Sequence, residues 1–455
     1  MSLPPRETRV KVAVASLGCD KNRVDTETML GLLSQAGYEF TGRESLADVI
    51  LVNTCAFIDA AQEEAVNTIL DLAAYKRTGR CRALVVTGCL AQRYGPTLLQ
   101  EIPEIDGLVG TGQLDRIAEV TGRCLAGEKV VEVGAPGYAP ATPVPRLATR
   151  PPYTTFIKIA EGCSNCCRYC IIPRLRGPFR SRPPDTILEE ARRAVACGCR
   201  EIVLVAQDTT RYGADLGNGI SLAYLVKALA RLPGVRWVRI LYCYPTGITD
   251  DLLEVIATEP AVCNYLDIPM QHASDKVLKA MGRPTTQADL RELLARVRAV
   301  VPGITIRSTF MVGYPGETEK DFEELLAFLK EMRLERAGFF VFSAQEGTPA
   351  ARMPGQVPSR VRQERLEKAV ALQKRITFAL NREKTGRNIT VLVEGRRGKR
   401  YLGRSEADAP EVDGRVFFRG SGYFSPGDFA VVHITKAYPY DLEGESVGPS
   451  MPSIS

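Results

Sequence analysis

Short apolar runs alternate with amphipathic stretches from about residue 10 to residue 342, and this alternation restricts the fold more than any other feature. Runs of Val, Ile and Leu are strand patterns, and recurrence at three and four residues is a helix pattern. Strands separated by helices pair in parallel, because each crossover returns the chain to the same edge. Three such strands are expected early, at 10–15, 48–53 and 83–87, with helices at 24–35, 60–74 and 91–101. They predict an α/β fold class that begins with an open parallel sheet domain over residues 1–133. A stretch rich in Pro, Ala and Thr at 134–152 predicts an extended linker. Six further strands follow at 156–160, 202–206, 237–242, 265–268, 304–312 and 339–342, with amphipathic helices between them. Over residues 153–380 these fit a parallel barrel, complete or partial. After a helical pattern at 361–379, short runs at 389–393, 401–403, 414–418 and 429–434 predict a small antiparallel β-barrel over 381–445. The tail 446–455 reads as disordered.

Thirteen cysteines are spread over the 455 residues, and two groups of them stand at expected strand ends. In open parallel sheets the carboxyl ends of the strands share one edge, where ligands bind. Cys19, Cys55 and Cys89 each lie just past one of the three early strands, so shared metal ligation is one reading. Three independent thiols are the plain alternative, as Cys81 and Cys124 illustrate. The second group is Cys163, Cys166, Cys167 and Cys170, after the first strand of the central unit. Cys163, Cys167 and Cys170 spell C-x3-C-x2-C, which can hold three irons of a cubane [4Fe–4S] cluster and leave the fourth open. A zinc knuckle, which needs four tetrahedral ligands, and buried inert thiols compete with this reading. Cys166 is also an alternative to Cys167 within the triplet. The same logic applied to the first group predicts a second cluster with an open iron.

That spacing, with Tyr169 before the last cysteine, resembles the radical S-adenosylmethionine (SAM) superfamily. The string Ser16-Leu17-Gly18-Cys19-Asp20-Lys21-Asn22-Arg23-Val24-Asp25-Thr26-Glu27 looks like the opening signature of the methylthiotransferases, most closely the RimO family. Gly403 to Gly414 is similar to that family too, and unlike its tRNA-modifying relatives. The resemblance implies that SAM binds the open iron of the Cys163, Cys167 and Cys170 cluster and yields a 5′-deoxyadenosyl radical. It implies an auxiliary [4Fe–4S] cluster on Cys19, Cys55 and Cys89, and a central barrel of the partial (β/α)6 form. Tyr169, Gln207, Asp208 and Thr309 are the implied SAM-binding residues, with no catalytic residue assigned beyond the cluster ligands. The C-terminal barrel resembles a TRAM module, which recruits the macromolecular substrate. The implied reaction is methylthiolation of the β-carbon of one aspartate in small-subunit ribosomal protein twelve, free or in the assembled small subunit. Two SAM molecules, a reducing electron donor and a sulfur donor are the implied co-reactants.

Other features are read from the residues themselves. Gly313-Tyr314-Pro315-Gly316-Glu317-Thr318 resembles a family turn, or is a plain turn before a helix capped at Thr318. His272 reads as a hydrogen-bonded wall residue. Arg174, Arg176, Arg180 and Arg182 are either a solvated face or a carboxylate clamp. Glu406, Asp408, Glu411 and Asp413 form an acidic run that would repel RNA phosphates and suit a basic protein partner. The net charge of +6 is mild and does not require nucleic acid. No apolar run approaches the ~20 residues of a membrane helix, and the N-terminus lacks a signal-peptide core, so a cytoplasmic protein without membrane partners is expected. A tRNA adenosine 2-methylthiotransferase is the alternative enzyme. A non-catalytic iron–sulfur carrier would leave six βα units and their strand-end polar loops without a use.

Overall fold

The first sheet consists of β1 (Lys11–Ser16), β2 (Glu39–Phe40), β3 (Val49–Thr54), β4 (Ala83–Gly88), β5 (Gly107–Val109) and β6 (Val130–Glu132). In this computed structural model, which describes residues 9–140, 142–217, 219–420 and 422–449, all six are parallel, in the order 2-1-3-4-5-6. Strands β3 and β4 are buried at every position, which explains their unbroken apolar runs. The chain leaves β1 toward β2 on one side and reaches β3 on the other, so the strand order reverses between β1 and β3. Ligands of open α/β sheets bind at such a switch point.

The second sheet is an open barrel of β7 (Thr154–Lys158), β10 (Glu201–Val205), β11 (Trp237–Ile240), β12 (Val262–Asp267), β13 (Thr305–Val312) and β14 (Arg336–Val341). Its strands are parallel and pair in chain order, while β8 (Ala160–Glu161) and β9 (Arg180–Ser181) form a small antiparallel pair beside it. Alternation along each strand separates two environments. Ile157, Ile202, Leu204, Val238, Ile240, Leu266 and Phe310 pack under the helices, whereas Phe156, Val203, Val205, Trp237, Leu241, Cys263 and Tyr265 fill the interior. The helix Ser359–Arg382 completes the last unit by burying Ala369, Leu372 and Ile376 in the helix-side core. Among the described residues no helix is long and apolar enough to cross a membrane.

The third unit is a closed barrel of β15 (Asn388–Arg397), β16 (Arg400–Ser405), β17 (Val416–Arg419), β18 (Phe429–Ala437) and β19 (Leu442–Pro449), in the order 15-16-17-19-18. Its pairs are antiparallel except for β17 and β19, which run parallel and close the ring. Residues 446–449, expected as part of a disordered tail, instead continue β19, because closure gives them partners on Val431 and Val432. Residues 450–455 of that expected tail lie outside the described residues.

The acidic run is not a free charged surface throughout, because the Asp408 and Asp413 side chains are buried while Glu406 and Glu411 remain exposed. It forms the loop between β16 and β17, which plugs the amino-terminal end of the open barrel. Asp408 pairs with Arg336 at 2.7 Å, Asp413 accepts from the Tyr265 hydroxyl at 2.6 Å, and Glu411 meets Arg150 at 2.9 Å. Glu406 is exposed, yet its backbone carbonyl accepts from Arg239 at 2.6 Å and its carboxylate from the Asn264 amide at 3.3 Å. These acceptors add partners to the inward-pointing arginines of the barrel floor, with Asp408 the carboxylate paired with Arg336. Deepest of all, Glu201 is fully buried between Arg404 at 2.5 Å and Arg239 at 2.9 Å. Burial opposes its ionisation, but the charges of Arg404 and Arg239 hold its carboxyl down at about 2.

Removing Arg404 strands this carboxylate beside a single guanidinium, so Arg404→Ala is expected to cost about 3–5 kcal/mol of folding stability in denaturant titrations. Because the folded carboxyl is held below its ordinary range, its contribution is present above pH ~4.3 and lost as pH falls toward about 2. The penalty of Arg404→Ala should therefore shrink over that window and remain level above it.

Candidate active site

Each cysteine triplet is positioned by the carboxyl ends of parallel strands. Cys19 follows β1 and is the residue before the helix Asp20–Gln35, Cys55 follows β3, and Cys89 opens the helix Cys89–Glu101 after β4. Gly18 and Gly88, each preceding a cysteine, hold φ near +90°, at 87° and 91°. A Cβ on Gly18 would lie 2.8 Å from the Cys55 Cβ, so only glycine lets the first cysteine loop approach the second. The Cys89 thiol donates to the Asn22 side-chain Oδ1 at 3.9 Å, and all three thiols fall within mutual electrostatic reach. Burial pushes the Cys89 thiol up to about 11, offset in part by the Arg176 guanidinium. The three thiols thus meet at the switch point of the first sheet.

Cys163, Cys167 and Cys170 are folded together in the loop after β7 and β8. The Cys170 amide donates to the Cys167 carbonyl at 3.1 Å, and the Cys163 amide to the Gly177 carbonyl at 3.0 Å. Burial pushes the Cys170 thiol up to about 12, with both other thiols of the triplet adding to the shift. Cys166 is exposed, with its Sγ 4.0 Å from the Ser164 carbonyl. Among the described residues no three His, Cys, Asp or Glu side chains close on a single metal ion. A cubane takes one thiolate per iron, so its ligands need not meet at one point. The donor sets, three thiols each and nothing else, fit such clusters better than a zinc site, which wants a fourth ligand.

A buried charged network spans the gap between the triplets. Lys158, the last residue of β7, reaches Asp25 and Glu161, each at 2.5 Å. Arg176 reaches Asp25 at 2.5 Å and Glu161 at 3.3 Å, and also donates to the Asn22 side chain. Burial opposes the charge on Glu161, but Lys158 and then Arg176 hold its carboxyl at about 2. Asn22 in turn donates to the Thr54 carbonyl at 2.8 Å, next to Cys55, and Glu161 is two residues from Cys163. Arg176 is therefore neither solvated nor free to clamp a ligand, and Arg182 is likewise engaged, with Glu190 at 2.7 Å. Arg174 and Arg180 donate to the Gly347 and Pro136 carbonyls.

The residues expected to bind SAM line the mouth of the open barrel. Tyr169 is buried edge-on against Tyr314, with ring centroids 6.5 Å apart. Asp208 accepts from Asn165 of the cysteine loop at 2.9 Å and from Thr210 at 2.6 Å, so both its oxygens are engaged within the chain. Gln207 donates to Glu161 at 3.0 Å and leaves its carbonyl oxygen buried without a partner. Thr309 is half-buried on β13, on the same face as Met311, which packs with Tyr169. His272 is a fully buried wall residue that accepts from the Ser274 amide at 2.9 Å. Desolvation lowers its pKa to about 3. The turn at 313–318 is held by Glu317, which accepts from the Gly313 amide at 2.7 Å, and Thr318 caps the next helix with Asp321.

Four residues were not singled out from sequence. Arg283 places its guanidinium 3.8 Å from the Cys167 Sγ and 4.1 Å over the Tyr244 ring. Lys21 sets its ammonium 3.2 Å over the Tyr242 ring. Tyr242 and Gln271, at the ends of β11 and β12, adopt positive φ of 62° and 73°, which non-glycine residues rarely do outside functional sites. A lysine in the apolar run 156–160 was the one available signal for the network. The strained tyrosine and glutamine leave no mark in sequence.

Three family models match the chain: Uncharacterized protein family UPF0004 at residues 11–110, the Radical SAM superfamily at 157–329, and a TRAM domain at 385–447. The chain is 58% identical to "Ribosomal protein uS12 methylthiotransferase RimO" of Desulforudis audaxviator, over 97% of this chain and 98% of that one. It is 52% identical to the protein of the same name from Pelotomaculum thermopropionicum, over 96% and 99%. Among solved structures it resembles the radical S-adenosylmethionine methyltransferase TsrM from Kitasatospora setae. That likeness has a TM-score of 0.57 at 14% identity, covering 81% of this chain and 89% of that one, and speaks to the fold alone.

Arg176 serves two carboxylates at once, so Arg176→Met should leave Asp25 and Glu161 sharing only Lys158. A loss of about 3–5 kcal/mol in denaturant titrations is expected. Arg176→Lys should recover only part of it, because an ammonium cannot reproduce the planar fork.

Proposed function

This chain belongs to the RimO methylthiotransferase family, and we propose that it attaches a methylthio group to the β-carbon of one aspartate of ribosomal protein uS12 by radical SAM chemistry. The observation that carries this reading is the pair of three-cysteine sites, each at the carboxyl ends of parallel strands, joined by one buried network. We assign a radical [4Fe–4S] cluster to Cys163, Cys167 and Cys170, and an auxiliary [4Fe–4S] cluster to Cys19, Cys55 and Cys89. Each set of three thiolates leaves one iron open. When bound, the clusters and SAM supply the radical, the sulfur and the methyl group. An external reductant and a sulfur donor complete the set of reactants, and we place the reaction with its ribosomal substrate in the cytoplasm.

The chain's own residues hold and orient. Asp208, just past the second barrel strand, ties down the cysteine loop through Asn165 and so positions the thiols that would hold the cluster. Tyr169, Tyr314 and Met311 wall the mouth of the barrel and exclude water from it. The unpartnered carbonyl oxygens of Gln207 and Gln271 are acceptors suited to an ammonium or amide donor. Arg283 sets a positive charge 3.8 Å from the Cys167 sulfur, one of the three thiols assigned to the radical cluster. Because Asp408 and Asp413 of the acidic run are engaged inside the fold, the choice of uS12 over tRNA adenosine rests on the relatives and not on that run.

Anaerobically reconstituted protein should contain two [4Fe–4S] clusters by iron and sulfide analysis. Changing Cys163, Cys167 and Cys170 to Ala should leave one, changing Cys19, Cys55 and Cys89 as well should leave none, and Cys166→Ala should keep both. Loss of a cluster in Cys166→Ala would mean that the wrong triplet has been assigned.

The two sites also separate by chemistry. Protein lacking Cys19, Cys55 and Cys89 should still cleave SAM to 5′-deoxyadenosine under reducing conditions, yet add no methylthio mass to uS12. Normal transfer by that variant would remove the auxiliary site from the mechanism.

A further inference from the structure

The first turn of the helix Asp20–Gln35 carries Lys21 from the Cys19 site across to the end of β11. The lysine is 93% buried, with 7% of its surface exposed. Its ammonium sits 3.2 Å over the Tyr242 ring, and among the described residues no carboxylate lies within salt-bridge distance of it. Its neighbour Asp20 is turned to Arg150 at 3.2 Å. Every other buried lysine or arginine of the interface, Lys158, Arg146, Arg176 and Arg182, is matched by a carboxylate. A ring face attracts a cation but neutralises no charge, so this ammonium retains the capacity to take an anion.

Tyr242 is built to hold it there. Its positive φ of 62° turns the side chain out of the strand path, and the strained backbone is pinned on both sides. The Tyr242 amide donates to Asp267 at 3.1 Å, and its carbonyl accepts from the Thr209 amide at 3.0 Å. Strain of this kind persists only where the surroundings over-determine it, and it clusters at functional sites.

We propose that Lys21 binds the side-chain carboxylate of the substrate aspartate, with Tyr242 as its positioning residue. This rests on the reading of the chain as a uS12 methylthiotransferase. The carboxylate is one bond from the β-carbon that reacts, and Lys21 is two residues from Cys19. An aspartate anchored on this ammonium has its β-carbon held beside the Cys19, Cys55 and Cys89 site, where sulfur is delivered. The same contact distinguishes aspartate from asparagine, because a buried ammonium paired with a neutral amide keeps an unmatched charge.

The test uses reconstituted enzyme with uS12 and with uS12 carrying Asn in place of the target Asp. Lys21→Met should raise KM for uS12 by about 10- to 100-fold, the range of a charge-assisted hydrogen bond. Its preference for the aspartate over the asparagine substrate should collapse, while its iron content stays at the wild-type level. Lys21→Arg should recover part of the preference. Tyr242→Phe, which keeps the ring face, should retain more of it than Tyr242→Leu. Unchanged KM and preference in Lys21→Met would overturn the proposal. So would a weaker Kd for SAM at unchanged KM for uS12, since that assigns Lys21 to the cofactor's carboxylate. Failure of the wild-type enzyme to modify either substrate would instead refute the activity on which the proposal stands.

Discussion

The salt-bridged quartet of Asp25, Lys158, Glu161 and Arg176 is the constraint on which the two-site arrangement depends. Each member is at least nine-tenths buried, and Asp25 of the first sheet domain is held by Lys158 and Arg176 of the barrel, which also hold Glu161. Such a network gains little over an apolar interface, because desolvating four charges costs nearly what their attraction returns. We read its use here as registry. An apolar interface can slide by a methylene at small cost, whereas a guanidinium fork satisfied by two carboxylates and an amide has one position. Because Asn22 belongs to the Cys19 helix and Glu161 to the Cys163 loop, fixing that position fixes the separation of the two cysteine sites.

The opposite end of the barrel repeats the device with different residues. Glu201, Arg239 and Arg336 on the barrel floor meet Arg404 of β16 and Asp408 of the β16–β17 loop, again buried. A parallel barrel of six strands is open on one side, and its floor would otherwise expose inward-pointing charges to water. The plug satisfies them and orients the C-terminal barrel in the same step. Cores on either side of the floor, such as Trp237 edge-on to Phe429 with centroids 4.9 Å apart, then pack as one body.

The layout of strands and cysteines was legible because both follow from local pattern. β1, β3, β4 and the strands of the open barrel each carry an apolar or alternating run, and each cysteine of interest lies just past one of them or in the loop that follows it. The strands β2, β5 and β6 were not legible, since two or three residues hold too little periodicity to stand apart from loop. The acidic run was misjudged for a different reason. Charge read along a sequence suggests solvent, and only the tertiary fold reveals that Arg336, Tyr265, Arg239 and Arg150 lie opposite it. The same holds for Arg176, whose partners are 151 and 15 residues away.

These two clamps have a consequence for how substrate reaches the chemistry. The C-terminal barrel is joined to the central one through buried ion pairs, not through a flexible linker alone, so a substrate bound on it is held at a fixed offset from the barrel. The plug occupies the amino-terminal end, which leaves the carboxyl-terminal mouth, where the cysteine loops, Gln207, Gln271 and Lys21 gather, as the working end. That mouth is also where the first sheet domain abuts. A target side chain must therefore enter between the two cysteine sites, and the charged groups left unmatched in that gap decide which side chain is accepted. Lys21 and Arg283 are both buried cations without a carboxylate among the described residues, Arg283 standing beside Cys167 and Lys21 beside Cys19, and the proposed selectivity for an acidic target rests on the unmatched charge of Lys21 rather than on the shape of the mouth.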